Sequence, residues 1–171
     1  TAIWSGNFIV ARDLSETIPP ISLAFWRWII AFLALTPFAI KSLLKDWKLF
    51  KKHFLYLIIT SIFGITVFNT LIYVAGQTTT AINLSLISIT FPIFIIIISR
   101  FLYKEKITIY KMLGIIVVGI GVISIITKGS PTVLFELTFF KGDLWMLLAA
   151  IIFAVYSILL KHKPKEINIL S

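Results

Sequence analysis

The chain has 171 residues, 59% of them hydrophobic and 13% charged, with a formal net charge of +9 and no cysteine. A soluble domain holds about 45–50% apolar and about 25% charged residues, so a fold of this length could not hide so much apolar surface. An ordinary soluble enzyme, a disordered tail, a disulfide scaffold and a Cys-based metal site are excluded, and a polytopic α-helical membrane protein is expected, in line with a mean hydropathy of +1.03.

A spanning helix needs about 20 mostly apolar residues. The first apolar stretch, Thr1 to Ala11, is short and reaches about half-way across a hydrocarbon core. It has no initiator Met, basic flank or small-residue cleavage site, so it reads as the inside of a helix rather than a signal peptide, and the chain as a fragment. Five longer runs follow: Pro19 to Ile40, Phe54 to Ala75, Ala81 to Phe101, Tyr110 to Thr127 and Leu144 to Leu160. Pro19-Pro20 suits a helix start.

Charge placement argues against nucleic acid and for lipid, because the cations sit between the apolar runs. Twelve basic residues fall on one side of the expected topology: Lys41, Lys45, Lys48, Lys51 and Lys52, then Arg100, Lys104, Lys106 and Lys111, then Lys161, Lys163 and Lys165. Arg12, Lys128 and Lys141 fall on the other. The positive-inside rule places the twelve in the cytoplasm, so the first helix starts there and the sixth returns there.

Trp4 to Arg12 and Phe153 to Lys161 share a pattern: an aromatic, small or polar residues, an aliphatic run, a cation. The two helices point in opposite directions, as an odd-numbered repeat requires, and inverted repeats mark many secondary transporters. Two such units predict a parent of about 290–300 residues with ten helices. Residues 1–127 form the first five-helix repeat, 128–140 an external loop, and 141–171 the first helix of the second repeat.

Several stretches carry a family resemblance. They are Trp4-Ser5-Gly6-Asn7-Phe8, Pro19-Pro20 leading to Phe25-Trp26-Arg27-Trp28, Phe68-Asn69 with Tyr73, Ala81 to Pro92, Glu105-Lys106 with Lys111 to Gly114, Gly119 to Gly121, and Gly142-Asp143. In order and spacing they resemble the drug/metabolite transporter superfamily, in particular its EamA-type members. The resemblance implies an all-α polytopic bundle, about six helices of a ten-helix inverted-repeat (5+5) transporter. It also implies export of small polar metabolites, amino acids or related compounds, by alternating access. The partners implied are a small-molecule substrate and the lipid bilayer, with a homodimer left open, in a bacterial inner membrane. No cofactor, metal or catalytic residue is expected. A lipophilic-cation efflux carrier and a non-transporting scaffold are the alternatives.

Candidate pathway residues follow from polar chemistry at membrane depth. Arg27 lies near mid-span, where an Arg costs about 2.5–3.5 kcal/mol on insertion scales. It either meets an anionic group such as a substrate carboxylate, or snorkels and bonds helix carbonyls. Asn69, Tyr73 and Gln77 recur at i, i+4, i+8 and form one polar stripe, a cavity wall or an interhelical seam. Ala81, Ser85, Ser88 and Pro92 share a face, and Pro92 frees a backbone carbonyl, which suits a broken helix or a packing seam. Trp4, Ser5 and Asn7 on the first helix match Tyr156 and Ser157 on the sixth, placed to face one cavity or an interfacial belt. Gly114 and Gly121 read as a packing groove, and Glu105 as part of a solvated charge cluster. No Asp or Glu lies inside a helix core, so a proton-exchanging carboxylate of the small-multidrug-resistance kind has no carrier here. No P-loop or nucleophile–base set is present.

Overall fold

The computed structural model describes residues 2–14, 17–127, 140–164 and 166, and within them the side chains of all but 2–5, 42–43, 122–123 and 125–127. The helices in chain order are α1 (Ala2–Asp13), α2 (Pro20–Lys45), α3 (Trp47–Lys52), α4 (Phe54–Ser61), a π-helical turn (Ile62–Val67), α5 (Phe68–Gly76), α6 (Ala81–Ser88), α7 (Phe91–Tyr103), α8 (Ile109–Thr127) and α9 (Lys141–Lys161). The described residues form an all-α polytopic bundle without strands. Among the described residues four stretches are long and apolar enough to cross a membrane: Pro20–Lys41, Phe54–Gly76, Ala81–Tyr103 and Lys141–Lys161. The expected loop 128–140 lies outside the described residues up to 139, as do Glu16, Glu136, Lys128, Lys165 and the chain beyond Glu166.

Helix α9 is the spine. Gly142, Met146, Ala149, Ala150, Ala154 and Ile158 form one buried face at helical spacing. Small residues let backbones approach where no hydrophobic drive separates helix from lipid. This face packs on α5, α6, α7 and the π turn. Beside it, α5 buries Phe68, Ile72, Tyr73, Ala75 and Gly76 and receives α1 and α2. An aromatic cluster joins α5, α7 and α9: the Phe68–Phe153 and Phe91–Phe153 ring centroids are each 4.9 Å apart, and Phe68 meets Phe91 edge-on at 5.8 Å.

Two expected spans are interrupted. Run 81–101 splits into α6 and α7, because Pro92 near the start of α7 has no N–H and its ring crowds the carbonyl of Ser88. Run 54–75 contains the π turn, an extra residue in one helical turn. The sequence showed only Gly64 as a cue. A side chain at Gly64 would run into the Tyr156 ring, so the turn brings two helices into contact.

One end of the bundle is held by a clasp that sequence reasoning overlooked. Asp143, buried at 3% exposure, accepts hydrogen bonds from the Thr79 hydroxyl, the Asn83 amide at 3.2 Å and the Phe140 N–H at 2.8 Å. Asp143 lies in the first turn of α9, where the helix dipole favours an anion. The capping extends α9 three residues before the expected Leu144. The Gly142 Cα sits so close to the α5–α6 turn that a methyl would strike the Ala75 carbonyl and lie 2.9 Å from Thr78 Oγ1. A methyl on Gly76 would lie 2.8 Å from the Ala11 carbonyl, and Arg12 Nη1 donates to the Gly76 carbonyl at 3.2 Å. So α1, α5 and α9 meet at one turn. Gly76 and Gly142 are therefore the glycines where one backbone comes against another, while Gly64 lies against a ring. For the groove expected at Gly114 and Gly121 no neighbour lies among the described residues, where a methyl on either meets nothing within 4 Å. Helix α8 is apolar from Met112 to Gly121 and leaves Tyr110, Val117 and Ile120 exposed.

The opposite end carries a more exposed clasp. Lys161 Nζ donates to both Glu105 oxygens, at 2.6 and 2.7 Å, with Lys111 at 3.7 Å and His162 at 3.8 Å. The His162 ring stacks on Tyr103 with centroids 3.7 Å apart. Lys104, in the left-handed region at φ 52°, ends α7 and turns the chain toward Glu105. Glu166 meets Lys52 at 2.7 Å and His53 at 3.1 Å. Glu105 thus does more than join a solvated cluster: it ties the α7–α8 loop to the end of α9.

Two predictions follow from the clasps. Asp143→Ala strands three donors and costs about 3 kcal/mol or more. The expected result is a lower unfolding midpoint in detergent, with a smaller loss in Asp143→Asn; an unchanged midpoint in Asp143→Ala would contradict the clasp. At the other end, Lys161 donates to Glu105 and Lys52 to Glu166, which holds both carboxyls below the usual 4.5. Their contribution is complete above pH 4.5 and is lost as pH falls through the lowered folded values. Melting temperature should therefore drop on acidification below that pH, and Glu105→Gln should flatten the drop. An equal drop in the variant would refute the assignment.

Candidate functional site

Three helices meet at Arg27. Its Nη1 donates to Asn7 Oδ1 on α1 and to the Tyr73 hydroxyl on α5, and the Tyr73 hydroxyl lies 3.3 Å from the same Asn7 oxygen. The guanidinium carbon lies 5.9 Å from the Tyr73 ring centroid. Arg27 therefore bonds inward, to side chains, and not to carbonyls of its own helix. Its two partners are neutral. Among the described residues Arg27 makes no ion pair.

Beside this triad lies a cavity of about 370 Å³ lined by Asn7, Arg27, Trp28, Gly64, Ile65, Phe68, Asn69, Phe153 and Tyr156. Its walls come from α1, α2, the π turn, α5 and α9. One face offers amides and a guanidinium, and the other offers aromatic rings. Pockets that bind small molecules combine an apolar wall with a few placed polar groups in this way. Two larger grooves, of about 770 Å³ along α3, α4 and the π turn and about 470 Å³ along α2, are lined mostly by apolar side chains. Those surfaces suit acyl chains; the smaller cavity carries the polar chemistry.

The expected pathway residues divide into two groups. Asn7, Arg27, Asn69 and Tyr156 line the cavity, and Tyr73 joins it through Arg27. Asn69 is partly spent on structure: its amide donates to the Ile65 carbonyl at 2.9 Å and approaches the Gly64 carbonyl at 3.5 Å. Those are carbonyls of the π turn, so Asn69 holds the turn in shape. Gln77 does not continue the stripe, because α5 ends at Gly76 and Gln77 sits exposed in the turn.

Ser85, Ser88 and Pro92 are not brought to this cavity. The Ser85 hydroxyl donates to the Ala81 carbonyl at 2.8 Å and Ser88 to the Ser85 carbonyl at 2.6 Å, so both are satisfied within α6. The backbone of Trp4 lies on α1, and its side chain is outside those described. Sequence reasoning missed Trp28, Gly64, Ile65 and Phe68 as lining residues. Phe153 carried a signal, since it opens the stretch of the sixth helix that matches Trp4 to Arg12.

Among the described residues no group of three or more His, Cys, Asp or Glu side chains is placed to hold a metal. Nor does the cavity lining contain a carboxylate. The site as described offers binding chemistry: donors, one fixed cation and aromatic faces.

The sequence pattern of the EamA-like transporter family matches residues 1–127. An uncharacterized transporter of Archaeoglobus fulgidus is 27% identical over 92% of this chain and 53% of its own length. The uncharacterized transporter YyaM of Bacillus subtilis is 31% identical over 96% of this chain and 54% of its own, and YoaV of the same organism 25% over 99% and 57%. The chain thus spans about half the length of the curated relatives it matches. No solved structure matches it significantly. An integral, multi-pass helical chain with a polar cavity at membrane depth, matched by this family over its first 127 residues, belongs to the EamA-like transporter family.

Proposed function

We propose that the chain is part of a secondary carrier of small polar metabolites, with amino acids or related compounds as the substrate class and export as the direction. The observation that carries this reading is the convergence of Asn7, Arg27, Asn69 and Tyr156, from four helices, on one cavity. A polar cavity inside a lipid-facing bundle is costly unless it is used. Residues 1–127 act as the first repeat and α9 opens the second, so the cavity lies between the halves. Alternating access then consists of the halves rocking about this site, with one end closed while the other opens. The orientation proposed places the Lys161 clasp in the cytoplasm, as the basic loops require, and the membrane is the bacterial inner membrane.

The cavity supports a carrier over a scaffold, because a scaffold needs packed seams and no polar void. It also disfavours a lipophilic-cation carrier, because a cation entering the cavity would face Arg27. No enzymatic step is assigned to it.

In the full-length protein reconstituted in liposomes, Tyr73→Ala and Asn69→Ala should each lower counterflow by about tenfold or more while insertion stays normal; one charge-assisted hydrogen bond is worth about 1.5–3 kcal/mol. Wild-type kinetics in both variants would remove these residues from the pathway.

A further inference from the structure

Arg27 stands out in this bundle as a full charge with neutral partners. A guanidinium has five N–H donors in a fixed fork. Here Nη1 alone is engaged by side chains, with Asn7 and Tyr73, so the other nitrogens keep donors for a second ligand at the cavity wall. A planar fork matches a carboxylate in bidentate geometry. Neutral acceptors can hold a guanidinium in place, but they do not neutralise it. An anion arriving there gains a charge-assisted pair at reduced dielectric.

The depth of Arg27 argues that this anion enters the bundle. Arg27 lies seven residues into the span Pro20–Lys41, about 10 Å from its start at 1.5 Å per residue. Its head bonds across to side chains of α1 and α5 and lines the cavity between the helices. The rest of the lining suits an organic body. Trp28, Phe68, Phe153 and Tyr156 supply aromatic faces, and no described lining residue is acidic, so a bare amine finds no counter-charge.

We propose that Arg27 is the anchor for a carboxylate on the carried molecule, with Asn7 and Tyr73 holding the guanidinium ready for it. The cavity then takes small organic acids, amino acids among them, and rejects the corresponding amides and amines. This rests on the carrier reading above and narrows it to substrates bearing an anion.

The test uses purified full-length protein in detergent without added lipid, so that no anionic headgroup can compete. Thermal stabilisation is read against matched probes: phenylpropionate, phenylalanine, phenylalaninamide and phenethylamine, with the leucine-derived set beside them. Counterflow of the same compounds is measured in parallel. At least one acid should stabilise the wild type with half-saturation tenfold or more below its amide. Arg27→Gln should lose that preference, and Arg27→Lys, which keeps the charge without the fork, should retain part of it. The proposal is overturned by amides or amines that stabilise as well as the acids, by no stabilisation from any acid, or by a preference that survives Arg27→Gln. If Arg27→Gln fails to fold, the wild-type comparison and Arg27→Lys decide. Acid binding without counterflow would keep the anion site and remove carriage, whereas counterflow of amines without acid preference would do the reverse.

Discussion

A guanidinium placed a third of the way along an apolar span is the constraint on which this architecture turns. Left bare in hydrocarbon it costs several kcal/mol, so Arg27 must find oxygen acceptors at its own depth. It finds them on two other helices, in Asn7 and Tyr73. That requirement fixes the rotation of α2, brings α1 against α5, and leaves a polar corner that apolar side chains cannot fill. Phe68, Phe153 and Tyr156 close the far wall. The cavity is thus the space that remains when three helices satisfy one charge.

The two ends of α9 are held by different physics. At one end a buried carboxylate takes three hydrogen bonds and two glycines allow backbones to touch. At the other end, Glu105 and Lys161 form an exposed pair. Exposed pairs contribute little and are screened by salt, while a buried, fully bonded carboxylate is expensive to break. A carrier that opens one end at a time would open the Glu105–Lys161 end at lower cost, and the π turn beside the cavity gives α4 and α5 a place to bend.

Much of this was legible in the sequence because membranes simplify the reading. Helix existence and the alternation of helix ends followed from apolar run length and from where Lys and Arg cluster. Arg27, Asn69 and Tyr73 stood out because polar groups in such runs need a reason. What stayed illegible depended on approach between helices. Gly64 and Gly76 look like any glycine until a ring or a carbonyl is found against them, and Gly114 and Gly121 had the better spacing but no neighbour among the described residues. Asp143 stood in the sequence only as part of the Gly142-Asp143 pair at the start of the second repeat, and the bonds from Thr79 and Asn83 could not be read there. The Ser85 and Ser88 face was polar in sequence but is bonded into its own helix.

A corner around Arg27 that carries substrate must be open to water and to solutes. The chain carries no cysteine, so single cysteines can be placed at will. Asn7→Cys and Tyr156→Cys, on the cavity, should react with a membrane-impermeant thiol reagent, while Phe38→Cys, on the outward face of α2 at 83% exposure, should stay unreactive in lipid. Protection of both cavity positions, or labelling no faster than at Phe38, would show a dry packed interior with no room for a solute.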